Sequence, residues 1–268
     1  CMAAARIILG TDEKVRFLHR EVSTSHEEDY KSFDYFLFTN LLDVRDTLFG
    51  ILQNRTVDAG TRGCMALSLA HDFQGRISGR RLGETQELLE RYRNPGAAGR
   101  FRNDMDQYRS GFRRETALRV FCLLKEMEVL QKDWPEELWN ARRILYGRKE
   151  SSYRELKAEW RQNCRDNGVD LENLREQLMV YYTYTYFAGA VYDARAYGKL
   201  KLAAALSFLT EELTAARWKY LKKPMTLDLF QWTAHRLSKE IEHSDRNLTR
   251  LESLLTPVGL TELFGLLL

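Results

Sequence analysis

Apolar residues recur at three- and four-residue steps along most of the chain, the spacing of one helix face. Phe33, Phe36, Leu37, Leu41, Val44, Leu48 and Leu52 mark a first long helix over 27–53, with Asn54 as its stop. Asp58 is placed to cap the next, which runs to about Gly75 and carries Leu67, Leu69, Ala70 and Phe73. A short helix over 82–92 leads to NPGAAG at 94–99, the clearest loop and the best sub-boundary. On a helix over 112–130, Leu118, Phe121, Cys122 and Leu124 face inward. Pro135 suits the first turn of a helix to about Tyr146, and a polar helix occupies 151–167. Asp170 caps the longest helical region, 171–221, with a split near Asp193 or Gly198. Thr226 caps a helix over 227–255 whose seam is Phe230, Ala234, Leu237, Ile241, Leu248, Leu251 and Leu255. The apolar stretch 258–268 reads as a docked terminal helix, and only Val15–Val22 looks extended, as a strand or a loop. The pattern predicts an all-α bundle or array of about nine or ten helices, forming a single helical domain over 1–268.

Composition narrows the function classes. The 268 residues are 44% hydrophobic and 29% charged, as in a globular protein. Lys+Arg number 41 against 38 Asp+Glu, a balance that predicts no nucleic-acid partner. Only four prolines interrupt the chain, which favours long helices. No stretch approaches the ~18 uninterrupted apolar residues of a spanning helix, and residues 2–9 lack the basic leader of a signal peptide. The expected location is cytoplasmic, with no membrane partner. Cys1 stands first, so the chain is expected to be a fragment or a processed product. Cys1, Cys64, Cys122 and Cys164 form no CxxC, so no self-contained zinc or iron–sulfur signature is present.

Motifs for dinucleotide cradles, P-loops, zincins and nucleophile elbows are missing. Three constellations remain. On the helix over 227–255, Arg236, Glu240, His243 and Asn247 are spaced to stack on one face, and Glu242 pairs with Arg246 at i, i+4. They make either a solvated face or an acid/base or cation-binding pair of Glu240 or Glu242 with His243. The second is the run Tyr181, Tyr182, Tyr184 and Tyr186, followed by Tyr192 and Tyr197. It supplies either core aromatics or a cation–π cage for an ammonium or sulfonium. The third is Arg100, Arg102, Arg109, Arg113, Arg114 and Arg119, interleaved with Phe101, Tyr108 and Phe112. Asp104, Asp106 and Glu115 dilute it, so it reads as a solvated face.

Three segments carry a resemblance. LSKEIEHSDRNL at 237–248 resembles the S-[KR]-E-[IV]-E-H-S-x-x-N-L motif of the flagellin lysine-N-methylase family. LLDVRDTLFGILQNR at 41–55 is similar to that family's LRD…ILQNR helix, and CMAAARIIL at 1–9 to its CPEAARLIL segment. The matches come in the family's order across nearly the whole chain. The resemblance implies the helical C-terminal portion of a bacterial enzyme that transfers methyl groups from S-adenosylmethionine to lysines of flagellin. It also implies an iron–sulfur cluster in the intact protein, of whose ligands at most Cys1 remains here. Transfer needs a neutral lysine amine, which assigns Glu242, His243 and Glu240 to catalysis. Tyr181, Tyr182, Tyr184 and Asn247 are assigned to the cofactor. Alanine at Glu242 or His243 is then expected to abolish transfer. The alternative is a non-catalytic helical module that binds a protein or a ligand.

Overall fold

The computed structural model describes residues 2–18, 33–105, 108 and 113–268. Among the described residues the fold is all-α, without a strand, and contains thirteen α-helices. They are α1 (Met2–Leu9), α2 (Tyr35–Leu52), α3 (Ala59–Ser78), α4 (Thr85–Arg93), α5 (Ala97–Met105), α6 (Arg113–Cys122) and α7 (Trp134–Tyr146). After them come α8 (Glu150–Asp166), α9 (Leu171–Tyr186), α10 (Ala196–Leu221), α11 (Leu227–Ile241), α12 (Asp245–Leu254) and α13 (Leu260–Leu267).

Side-chain caps set several boundaries. The carboxylates of Asp34, Asp58 and Asp170 accept from Leu37 N, Thr61 N and Glu172 N, and the Thr226 hydroxyl accepts from Leu229 N. Each such cap contributes about 1 kcal/mol. The expected caps Asp58, Asp170 and Thr226 are therefore all in use. The long region 171–221 does divide near Asp193: α9 passes through a 3-10 turn, Phe187–Val191, and α10 begins at Ala196.

The central element is α10. Every residue from Leu200 to Ala216 is buried, so it has no solvent face along that stretch. Its alanines, Ala203, Ala204, Ala205, Ala215 and Ala216, let neighbours come close. Against it pack α3, α9, α7 and α11, and α13 closes the far side across α3. Two glycines make the α3–α13 seam possible. A Cβ on Gly60 would lie 2.6 Å from the Leu267 carbonyl oxygen, and one on Gly63 would lie 2.9 Å from the Leu267 Cδ1.

Four expectations are corrected. The helix expected over 227–255 is two helices. Ser244 adopts extended backbone (φ −133°, ψ 110°), and its hydroxyl accepts from Asn247 N to start α12. The seam stays in phase because Ile241 and Leu248 are seven residues apart, which hides the bend from the pattern. The helix expected over 112–130 ends at Cys122 and passes into a 3-10 turn at Leu123–Glu126. Beyond it, the N–H of Glu128 goes to the Asn247 side chain and that of Leu130 to Glu240, so tertiary partners replace helical ones. Cys122 and Leu118 are only half-buried there, while Ala117, Val120, Phe121 and Leu124 form the inner face. The loop expected at 94–99 closes after three residues, and α5 begins at Ala97. Finally, 15–18 is irregular rather than a strand, while 19–22 and the expected helical start at 27–32 lie outside the described residues.

Candidate functional site

The bend between α11 and α12 carries Glu242 at the end of α11, facing the last turns of α9. Its Oε2 accepts two hydrogen bonds, from the Tyr186 hydroxyl at 2.6 Å and the Tyr181 hydroxyl at 3.1 Å. Its Oε1 is buried and has no hydrogen-bond partner among the described residues. No lysine or arginine among them pairs with this carboxylate. The i, i+4 partner expected for it, Arg246, turns instead to Glu128 at 3.4 Å.

Beside Glu242 lies a cavity of about 40 Å³, lined by Ala5 and Ile8 of α1, Tyr181 and Tyr182 of α9, and His235 and Ser238 of α11. The Nδ1 of His235 is a second buried atom without a partner there. Burial, and then Lys239, hold His235 below the ordinary histidine range, so it is neutral near pH 7. Burial and the neighbouring Glu242 push the Tyr181 hydroxyl up to about 12, and the same causes raise Tyr186 further. Both tyrosines therefore keep their protons and remain donors to the carboxylate.

Of the other expected residues, Tyr182 shares the cavity wall and the rest are placed elsewhere. Glu240 is fully buried; its Oε2 accepts from Leu130 N at 3.0 Å, its Oε1 lies 3.9 Å from Arg236, and burial raises its pKa. Asn247 donates to the Glu128 carbonyl at 2.9 Å and to the Glu240 carbonyl at 2.6 Å. Together they fasten the loop after α6 onto the bend. His243 is exposed on that bend. Tyr182 is 2% exposed, a core residue whose ring stacks beside Tyr186. Tyr184 is 55% exposed and stacks with Phe17 at 5.3 Å, away from Glu242. Cys1 lies outside the described residues. Among the described arginines of the third constellation, Arg114 donates to the Tyr146 carbonyl at the end of α7, and Arg119 pairs with Glu262 at 2.5 Å. Arg109 and Phe112 lie outside the described residues.

Residue by residue, the cofactor assignment meets a size limit. Small-molecule pockets are ~300–1,000 Å³, so the cavity at Glu242 does not fit a nucleoside sulfonium. A hollow of about 340 Å³, lined by Thr47, Arg62, Tyr92 and Arg93 among others, is large enough, but no expected site residue lines it. A cleft of about 210 Å³ lies between α7, α10 and α11. Four of its charged side chains pair with one another: Arg236 with Asp133 and Glu137, and Arg217 with Glu137 while stacked 3.5 Å over the Trp232 ring. For metals, no group of three His, Cys, Asp or Glu side chains among the described residues could hold an ion. Cys64 and Cys164 are buried on separate helices, so the described cysteines do not fit an iron–sulfur cluster.

Comparison with known families decides the affiliation. The sequence model of the FliB lysine N-methylase C-terminal domain matches residues 45–268. The chain belongs to this family. No curated protein and no solved structure matches it. The FliB domain match takes in α3–α13 and the last eight residues of α2, and with them Glu242, Tyr181 and Tyr186. Tyr186 was not among the residues assigned from the sequence, although it sits in the same tyrosine run. It is the last residue of α9, before the 3-10 turn at Phe187–Val191.

Proposed function

We propose that this chain is the helical C-terminal part of an S-adenosylmethionine-dependent protein lysine methyltransferase that acts on flagellin in the bacterial cytoplasm. Family membership supports the reaction class. The observation that carries the local assignment is Glu242, a carboxylate with two tyrosine donors on one oxygen and a bare, buried second oxygen beside a water-sized cavity. That is the size of a lysine ε-ammonium head. Oε1 accepts a proton from the ammonium and leaves a neutral amine with a free lone pair. Tyr181 and Tyr186 hold the carboxylate in place through their hydroxyls. Glu240 and Asn247 act as positioning residues that fix the bend. The methyl donor supplies an electrophilic carbon when bound, at a place other than this cavity.

The test is Glu242→Gln in the intact enzyme, with flagellin methylation read by mass spectrometry. Transfer should fall by about 10²–10⁴, the usual weight of a general base, with helicity unchanged. Wild-type rates would remove Glu242 from the chemistry.

A further inference from the structure

The segment between α1 and the first undescribed residues is held in an unusual way. Thr11 to Leu18 is non-helical, and Asp12, Glu13, Lys14 and Arg16 are exposed. Four side chains from the end of α2, the turn after it and α9 hold its backbone instead. Asn173 donates to the Thr11 carbonyl at 2.7 Å and Arg55 to that of Asp12 at 2.8 Å. Gln177 donates to the Glu13 carbonyl at 3.0 Å and Gln53 to that of Val15 at 3.3 Å. Phe17 then stacks on Phe49 at 3.9 Å and on Tyr184 at 5.3 Å, with Arg45 over both of those rings. Main-chain hydrogen bonds followed by an aromatic anchor are how grooves recognise extended peptides.

One observation supports a groove built independently of this occupant. Arg55 is oriented by its own carboxylate, donating Nε and Nη2 to Glu176 at 2.9 Å, and Nη2 also reaches the Asn173 side-chain oxygen. A second supports incomplete filling by the strap. Gln177 is 1% exposed, yet its Oε1 has no partner among the described residues, and neither has the Oε1 of Gln53. Each amide spends its N–H on the strap and leaves a buried acceptor that the backbone N–H of a better-registered peptide would satisfy.

From this geometry we infer that the α2–α9 groove is a docking site for an extended polypeptide segment of another molecule, and that residues 11–18 are its built-in competitor. The occupant it fits offers successive free carbonyls and an aromatic side chain two residues beyond the last clamped one. The inference does not depend on the methyl-transfer reading, because none of its residues touches Glu242.

The experiment uses a fluorescent peptide of residues 11–18 and the full chain, with binding read by anisotropy. Phe17→Ala in the chain releases the tethered competitor, so its affinity for the peptide should rise about ten-fold over wild type. Asn173→Ala with Gln177→Ala in that background should take the gain away. A peptide carrying Phe17→Ala, which poses no folding question, should bind at least ten-fold more weakly than the native peptide. If the Phe17→Ala chain keeps its helicity and binds the peptide no better than wild type, or if the altered peptide binds equally well, the groove is a permanent seam and the inference fails. Loss of helicity in the Phe17→Ala chain would likewise show that the strap is part of the folded core, and would overturn it.

Discussion

Two glutamates in this molecule, Glu212 buried and Glu242 half-buried, are each held by a pair of tyrosine hydroxyls, and they differ in how that hold is completed. Glu212 on α10 accepts from Tyr146 at 2.6 Å and from Tyr153 at 3.1 Å, one on each oxygen, and pairs with Lys157 at 2.8 Å. Glu242 accepts from Tyr186 and Tyr181 at the same two distances, but both bonds fall on Oε2, and no cation completes the set. Glu212 is 0% exposed and walled in by α7, α8 and α10, whereas Glu242 opens onto a cavity. A buried charge costs stability unless it is paired and hydrogen-bonded. Glu212 meets that condition internally and has nothing left for a ligand. Glu242 meets half of it, and the missing half is the shape of a cation. Tyrosine contacts alone do not distinguish a site from a core; an unfilled acceptor together with a cavity beside it does.

Breaking Glu212 should have the greatest effect on the fold. Glu212→Gln strips Lys157 of its carboxylate in the interior and should cost about 3–5 kcal/mol, read by denaturant unfolding. Glu242→Gln should cost the fold about 1 kcal/mol or less, while carrying the loss of methyl transfer described above. Equal destabilisation by the two variants would erase the contrast. Tyr186→Phe and Tyr181→Phe each remove one donor and should slow transfer by about five-fold, equivalent to roughly 1 kcal/mol. Alkaline titration tests the tyrosines together. The folded Tyr181 holds its proton up to about 12, whereas the unfolded side chain releases it near pH 10. Its contribution is therefore fully present below about pH 10 and is lost as pH rises toward about 12. Unfolding midpoints should be flat from neutral pH to about 9 and then drop. The smallest effect belongs to His243→Ala. The exposed imidazole should change stability by less than about 0.5 kcal/mol, and transfer less than two-fold. A larger loss of transfer would return His243 to the role first assigned from its place beside Glu242.

Local chemistry was readable from the residues, and docking was not. Asp58, Asp170 and Thr226 announced helix starts because a capping side chain acts within three residues of itself. The bend at Ser244 stayed hidden. No proline or glycine marks it, and the seven-residue step from Ile241 to Leu248 mimics an unbroken seam. The same limit applies to the site. The tyrosine run shows aromatics around the whole circumference of α9, but which rings meet Glu242 depends on how α9 lies against α11. Tyr181 and Tyr186 reach it, while Tyr184 serves the groove that holds Phe17. The stripe of Arg236, Glu240, His243 and Asn247 assumed one straight helix; across the bend Asn247 donates to the Glu240 carbonyl and Arg236 stays 3.9 Å from Glu240, while His243 is left exposed. Glu240 and Asn247 also share the loop after α6, a partner no periodicity could have named.

The close fit of α13 on α3 has a consequence for how the chain folds. Cys64 and Phe264 touch across 200 positions of sequence, an unusually long-range contact for a helical protein. Neighbouring helices can pair early, because little chain entropy is lost in joining them. The groove floored by Gly60 and Gly63 cannot be filled until a segment from the opposite end of the domain arrives. Closure of this ring belongs to the late, slow part of folding, and until then α3 presents an open apolar flank to whatever else is nearby.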